Sequence, residues 1–105
     1  MVQSVQSPEE FYSIYNQSPL LIVDFWAPWC GPCKGISPLF ESLSERFPSI
    51  TFIKVNIDDE SMETIVSQFG ITSLPTFLFI KNKVLVKQLK GANQQALERS
   101  IYELL

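Results

Sequence analysis

Histidine is missing from all 105 residues, and cysteine occurs only twice. The first absence removes the usual general base near neutral pH and the commonest nitrogen ligand for metals. The second leaves at most one disulfide, too few for the stapled framework of a small secreted domain. Positive charge is also scarce. Eight Lys and Arg stand against eleven Asp and Glu, a net charge of −3, and no basic run occurs. Nucleic acid and anionic membrane are therefore not expected partners. No apolar window of roughly 18 residues exists, so no membrane span is expected. The opening Met1-Val2-Gln3-Ser4-Val5-Gln6 has neither a basic region nor an apolar one, so no secretory signal is expected. A reducing, cytoplasmic compartment follows as the expectation, and there a Cys-x-x-Cys is more often catalytic or metal-binding than structural.

What is present is a core. Hydrophobic residues make up 46% of the chain and charged ones 18%, enough for one domain over residues 1–105 without metal or disulfide support. Ser7-Pro8-Glu9-Glu10 has a capping serine, a proline suited to a first helical position, and a glutamate completing a capping box. The helix it opens carries Phe11, Ile14 and Tyr15 on one face and ends near Gln17. Residues 20–26, Leu-Leu-Ile-Val-Asp-Phe-Trp, form a nearly continuous apolar run, the pattern of a central strand covered on both faces. Ile36, Leu39, Phe40, Leu43 and Phe47 recur at helical spacing, with Pro38 inside the helix predicting a kink. Residues 50–57 read as a second interior strand, and Met62, Ile65, Val66 and Phe69 as a helix closed by Gly70. Residues 76–80 and 84–89 read as a hairpin, followed by a helix capped by Asn93 that turns Leu97, Ile101, Leu104 and Leu105 inward. A short strand within residues 1–6 completes the order β-α-β-α-β-α-β-β-α. That order implies an α/β fold: a mixed central sheet with helices on both faces.

Both cysteines lie in Trp29-Cys30-Gly31-Pro32-Cys33-Lys34, at the start of the long helix. A helix start supplies unpaired N–H groups and a positive dipole end, both of which favour a thiolate. A redox dithiol, a structural staple and half of a zinc site all fit the bare spacing. Zinc needs four ligands, and with no histidine or second cysteine pair only a dimer could supply them. Asp24 is the only charge in its apolar strand, a costly place for an isolated carboxylate.

Residues 24–34, Asp-Phe-Trp-Ala-Pro-Trp-Cys-Gly-Pro-Cys-Lys, then Pro38, residues 54–58, Phe69-Gly70-Ile71, Leu74-Pro75-Thr76 and Gly91, resemble the thioredoxin family along the whole chain. The resemblance implies the thioredoxin fold and a protein-disulfide reductase, a dithiol electron carrier with no bound cofactor. An NADPH-dependent flavoprotein, thioredoxin reductase, would carry the NADPH and FAD and return the electrons. Disulfide-bearing proteins such as peroxiredoxins or methionine sulfoxide reductases would be the clients of a monomer. A binding module with incidental thiol turnover is the alternative.

Within that resemblance Cys30, outermost at the helix start, is the expected nucleophile, and Cys33, one turn in, the resolving thiol. Gly31 and Pro32 are expected to tune the pair toward reduction, Pro32 by withholding an N–H from the thiolate. Asp24 is the expected proton acceptor for Cys33, with Lys54 of the neighbouring strand as its possible partner. Pro75 is expected to be cis and to turn the Leu74 backbone toward a client strand. Trp29, Ile57, Ile71, Leu74, Gly91 and Ala92 would form an apolar collar around Cys30, with Trp26 in the core. Lys83 at positive φ is unfavourable, so a turn longer than, or different from, type I′ is expected at Asn82-Lys83. Gly35 and Ser73 are unusual choices beside the site and bear on partner choice.

Overall fold

Residues 20–26 end up in the centre of the molecule. The computed structural model describes residues 1–105 and places β1 (Val2–Ser4), β2 (Leu20–Trp26), β3 (Thr51–Asn56), β4 (Thr76–Lys81) and β5 (Val84–Lys90) in one sheet, ordered β1-β3-β2-β4-β5. Parallel pairing joins β1 to β3 and β3 to β2, whereas β2–β4 and β4–β5 are antiparallel. Four helices complete the expected order: α1 (Pro8–Gln17), α2 (Gly31–Arg46), α3 (Glu63–Gln68) and α4 (Gln94–Leu104), with a 3-10 turn at Glu60–Met62.

The period-2 alternation of a strand sends β2 into two cores. Leu21, Val23 and Phe25 pack with Phe11, Met62 and Ile65 beneath α1 and α3. Ile22 packs with Ile36, Phe40, Leu43, Leu97 and Ile101 beneath α2 and α4. Asp24 has the parity of Ile22 and so occupies a position on the α2 side of the sheet. Each fully buried Leu, Ile or Phe contributes roughly 1.5–3 kcal/mol, so the two cores hold the sheet rigidly beneath the helix start at Cys30.

Local chemistry sets the helix ends. The Glu10 N–H donates to the Ser7 hydroxyl at 3.1 Å, and the Ala96 N–H to the Asn93 side chain at 2.9 Å. Glu10 reaches back to the N–H of Gln6 rather than of Ser7, one residue beyond the expected capping box. Gly70, at φ +62, closes α3: its N–H donates to Ser67 and that of Ile71 to Val66, the paired bonds of a Schellman motif. α2 runs continuously through Pro38.

Three expectations are corrected. Asn82 and Lys83 form a two-residue turn with φ of +51 and +68, the type I′ signs, because Lys81 pairs with Val84 and leaves no room for a longer loop. The Asn82 N–H donates to the Pro19 carbonyl and the Tyr15 hydroxyl to the Lys83 carbonyl, which hold the turn in place. Leu105 lies beyond the last helical residue and is 51% exposed, not inward. Trp26 is half-buried at the end of β2 rather than in the core. No helix is long and apolar enough to cross a membrane.

Candidate active site

The loop Ala27–Cys30 carries the chain from the end of β2 to the start of α2. Cys30 is the N-cap residue, and the Cys33 N–H donates to its Sγ at 3.2 Å. One of the orphan N–H groups of the helix start is thus aimed at sulfur, where it stabilises negative charge. Cys30 and Cys33 are joined as a disulfide, their Cα atoms 5.3 Å apart. In this closed form the two are almost equally covered, 5% and 3% exposed, so Cys30 is not the open residue that its place in the sequence suggests.

What separates the two sulfurs is the space each faces. Cys30 lines a surface cavity of about 390 Å³ together with Trp29, Gly31, Pro32, Ile57, Ile71 and residues 72–74. Cys33 instead lines a small cavity of about 70 Å³ with Asp24, Trp26, Lys34, Ser37 and Lys54. The helix start therefore forms a wall, with a docking-sized space on one side and a polar chamber on the other.

Asp24 is 4% exposed, and its Oδ1 has no hydrogen-bond partner. Burial pushes its pKa up from 3.8 to about 7, against an opposing pull from the Lys54 charge. Lys54 is its register partner across β2 and β3, and Phe77 its partner on β4. The expected contact with Lys54 is not an ion pair. The ion pairs of the molecule are Arg46–Glu98 and Lys87–Glu103, whereas the Lys54 ammonium lies 5.1 Å from the centroid of the Trp26 ring. The aromatic face holds the cation near the chamber without neutralising the acid.

Four residues of the predicted collar line the larger cavity: Trp29, Ile57, Ile71 and Leu74. Gly91 and Ala92 do not; Ala92 packs against the core beneath α2 and α4. Gly91 adopts φ +95 and donates its N–H to the Pro75 carbonyl at 2.8 Å, so the backbone itself calls for glycine there. The Leu74–Pro75 bond is cis, and Pro75 is buried and does not line the cavity.

Two residues at the site, Asp58 and Thr72, lay outside the expected collar. Trp29 is 68% exposed and its indole N–H donates to Asp58 Oδ1 at 3.3 Å, which pins the ring over the cavity. The acid directly after the β3 edge of the collar, Asp58 behind Ile57, was the available signal. Thr72 lines the cavity with no sequence cue at all. No group of three or more His, Cys, Asp or Glu side chains is gathered as a metal site.

The sequence pattern of the thioredoxin family matches residues 2–103. Thioredoxin-1 of Schizosaccharomyces pombe is 43% identical over 96% of each chain. A solved thioredoxin structure from Plasmodium falciparum superposes with a TM-score of 0.91 at 44% identity, covering 96% of this chain and 97% of that one. The chain is also 51% identical to a segment amounting to 17% of a Caenorhabditis briggsae peptide-N(4)-(N-acetyl-beta-glucosaminyl)asparagine amidase. Sequence and fold agree over nearly all of the chain, and the cysteine pair stands where a helix start can stabilise a thiolate. The chain belongs to the thioredoxin family and is a thiol–disulfide oxidoreductase.

Proposed function

We propose that residues 1–105 act as one unit that reduces disulfides in other proteins, with Cys30 as the attacking thiol and Cys33 as the resolving one. The observation that carries this reading is the division of the two sulfurs between two cavities. A client disulfide seated against Trp29, Ile57, Ile71 and Leu74 meets Cys30 first. The Cys30 thiolate attacks one client sulfur, forming a mixed disulfide and expelling the other as a thiolate. Cys33 then loses its proton to Asp24, directly or through water in the chamber, and attacks Cys30 Sγ. The second client sulfur leaves, and the Cys30–Cys33 disulfide forms. Two electrons pass to the client for each cycle. Gly31 and Pro32 shape the ring, and the cis Leu74–Pro75 bond presents the Leu74 backbone to a client strand.

Return to the dithiol requires a two-electron donor, and family membership supports an NADPH-dependent thioredoxin reductase carrying its own FAD. Peroxiredoxins and methionine sulfoxide reductases, whose cycles end in disulfides, are the client classes we assign. The protein itself acts as a monomer in the reducing cytoplasm and holds no cofactor.

The test is trapping. Cys33→Ser, reduced and mixed with a disulfide-bonded protein, should accumulate a covalent adduct through Cys30 that dithiothreitol releases, while Cys30→Ser should form none. Equal trapping by Cys30→Ser together with none by Cys33→Ser would reverse the assignment. A second reading, that the chain is a binding module with incidental thiol turnover, takes its motive from the amidase segment, where a similar unit forms part of a larger enzyme. A Cys30→Ser, Cys33→Ser double variant that complements a deletion strain fully would favour that module. Loss of complementation favours the reductase.

A further inference from the structure

Behind the wall of the larger cavity lies a polar atom without a partner. The side chains around Cys30 are mainly apolar, from Trp29, Ile57, Ile71 and Leu74, and two hydroxyls stand among them. Thr72 is exposed to water. The Ser73 Oγ is covered and makes no hydrogen bond. The Ser73 carbonyl accepts from the Thr76 hydroxyl at 2.6 Å, which holds the backbone there. A buried hydroxyl without a partner is a standing cost to the free protein. Rotation about χ1 between staggered wells breaks no bond that the hydroxyl holds.

An extended polypeptide entering this cavity has the complementary deficit. Its N–H and C=O groups lose water against an apolar wall, and each needs a new partner. The backbone of Leu74 can serve groups on one side of the client sulfur. Ser73 lies one residue earlier in the loop, and a hydroxyl both donates and accepts. We propose that Ser73 is a specificity-determining residue: its hydroxyl turns into the cavity and pairs with the main chain of a disulfide-bearing polypeptide seated against Cys30. The inference rests on the reductase reading above and names its substrate class, an extended peptide segment rather than a small disulfide. One bond satisfies two groups that would otherwise both be buried alone, so the contact favours peptide clients.

The test compares two disulfides in single turnover with pre-reduced protein, so that no reductase is needed. Insulin presents peptide backbone around its disulfides, and bis(2-hydroxyethyl) disulfide presents none. Ser73→Ala should raise the half-saturating concentration for insulin about three- to tenfold, the range expected for one hydrogen bond. The limiting rate with insulin and the rate with bis(2-hydroxyethyl) disulfide should stay unchanged, and thermal stability should not fall, because an orphaned hydroxyl has been removed. Ser73→Thr, which keeps the hydroxyl, should restore the insulin value. Equal effects on both disulfides, no effect on either, or a loss of stability accounting for the change would each overturn the role of Ser73. If wild-type protein reduces neither disulfide, the reductase reading itself fails, and this inference falls with it.

Discussion

A single carboxyl group, Asp24, carries most of the electrostatic consequence of this fold. Its pKa is pushed up to about 7 chiefly by burial, so between pH 3.8 and 7 the folded chain holds a proton that the unfolded chain has released. Stability therefore falls as pH rises through this window and levels off above it. The difference corresponds to a cost on the order of 4 kcal/mol at pH 8 relative to an unperturbed acid. Asp24→Asn should be more stable than wild type at pH 8 by about 2–4 kcal/mol, with the gap closing toward pH 4. Urea denaturation across pH reads this directly; a gap independent of pH would mean that the carboxyl is charged in both states or in neither. The same variant should slow resolution of the mixed disulfide while leaving attack by Cys30 intact, which quenched single-turnover assays separate. Equal resolution rates for the two proteins across pH would remove Asp24 from the proton route. Its burial was legible in the sequence, because one charge in a two-sided apolar strand has nowhere wet to point. The partnership with Lys54 was legible only as proximity. Whether a lysine pairs with an acid or lies over an aromatic ring depends on a few ångströms of side-chain placement, and the Trp26 ring took it.

At the scale of elements, caps and periods were readable because each is decided within a few residues. Ser7, Asn93 and Gly70 act where the sequence placed them. The β4–β5 turn was misread because its geometry is decided by the strands. Register pairs Lys81 with Val84, and the right-handed twist of the ladder then imposes type I′ signs on whatever residues stand there. Lys83 accordingly holds φ +68, a region that disfavours a side chain by roughly 1–2 kcal/mol. Lys83→Gly should raise stability by about 1 kcal/mol, less than the full relief because glycine gains freedom in the unfolded chain. An unchanged or lower urea midpoint would show that the positive φ at Lys83 carries no such cost. The collar was legible in part for a similar reason. Trp29, Ile57, Ile71 and Leu74 come from segments that end at the same edge of the sheet, whereas Ala92 packs on the core and Gly91 is tied by its N–H to the Pro75 carbonyl. Nothing in the structure requires glycine at position 35, where a Cβ would meet open space.

In the whole molecule, strand pairing and burial are graded from the centre of the sheet outward, and the site uses both ends of that gradient. β2 is bonded along both edges, by β3 and by β4, and is covered by a core on each face. β1 pairs with β3 alone over three residues, and β5 exposes Val84, Leu85 and Val86 at the other edge. Asp24 is thus anchored in the strand with most bonds and burial to lose on opening, while residues 71–74, which line the docking cavity, lie in a connecting loop at the surface. Amide hydrogen exchange should order the chain accordingly, with residues 21–25 exchanging only through global unfolding and residues 2–4 through local fraying. Comparable protection of β1 and β2 would contradict this gradient. Asp24 adds a second check on the same amides. Its burial cost is relieved only when β2 itself opens, since fraying of β1 uncovers β3 without wetting the acid. Under conditions where reclosing outruns exchange, Asp24→Asn should therefore raise the protection of residues 21–25 at pH 8 and leave residues 2–4 unchanged. A uniform rise across the sheet would instead place the acid in a unit that opens together with the edge.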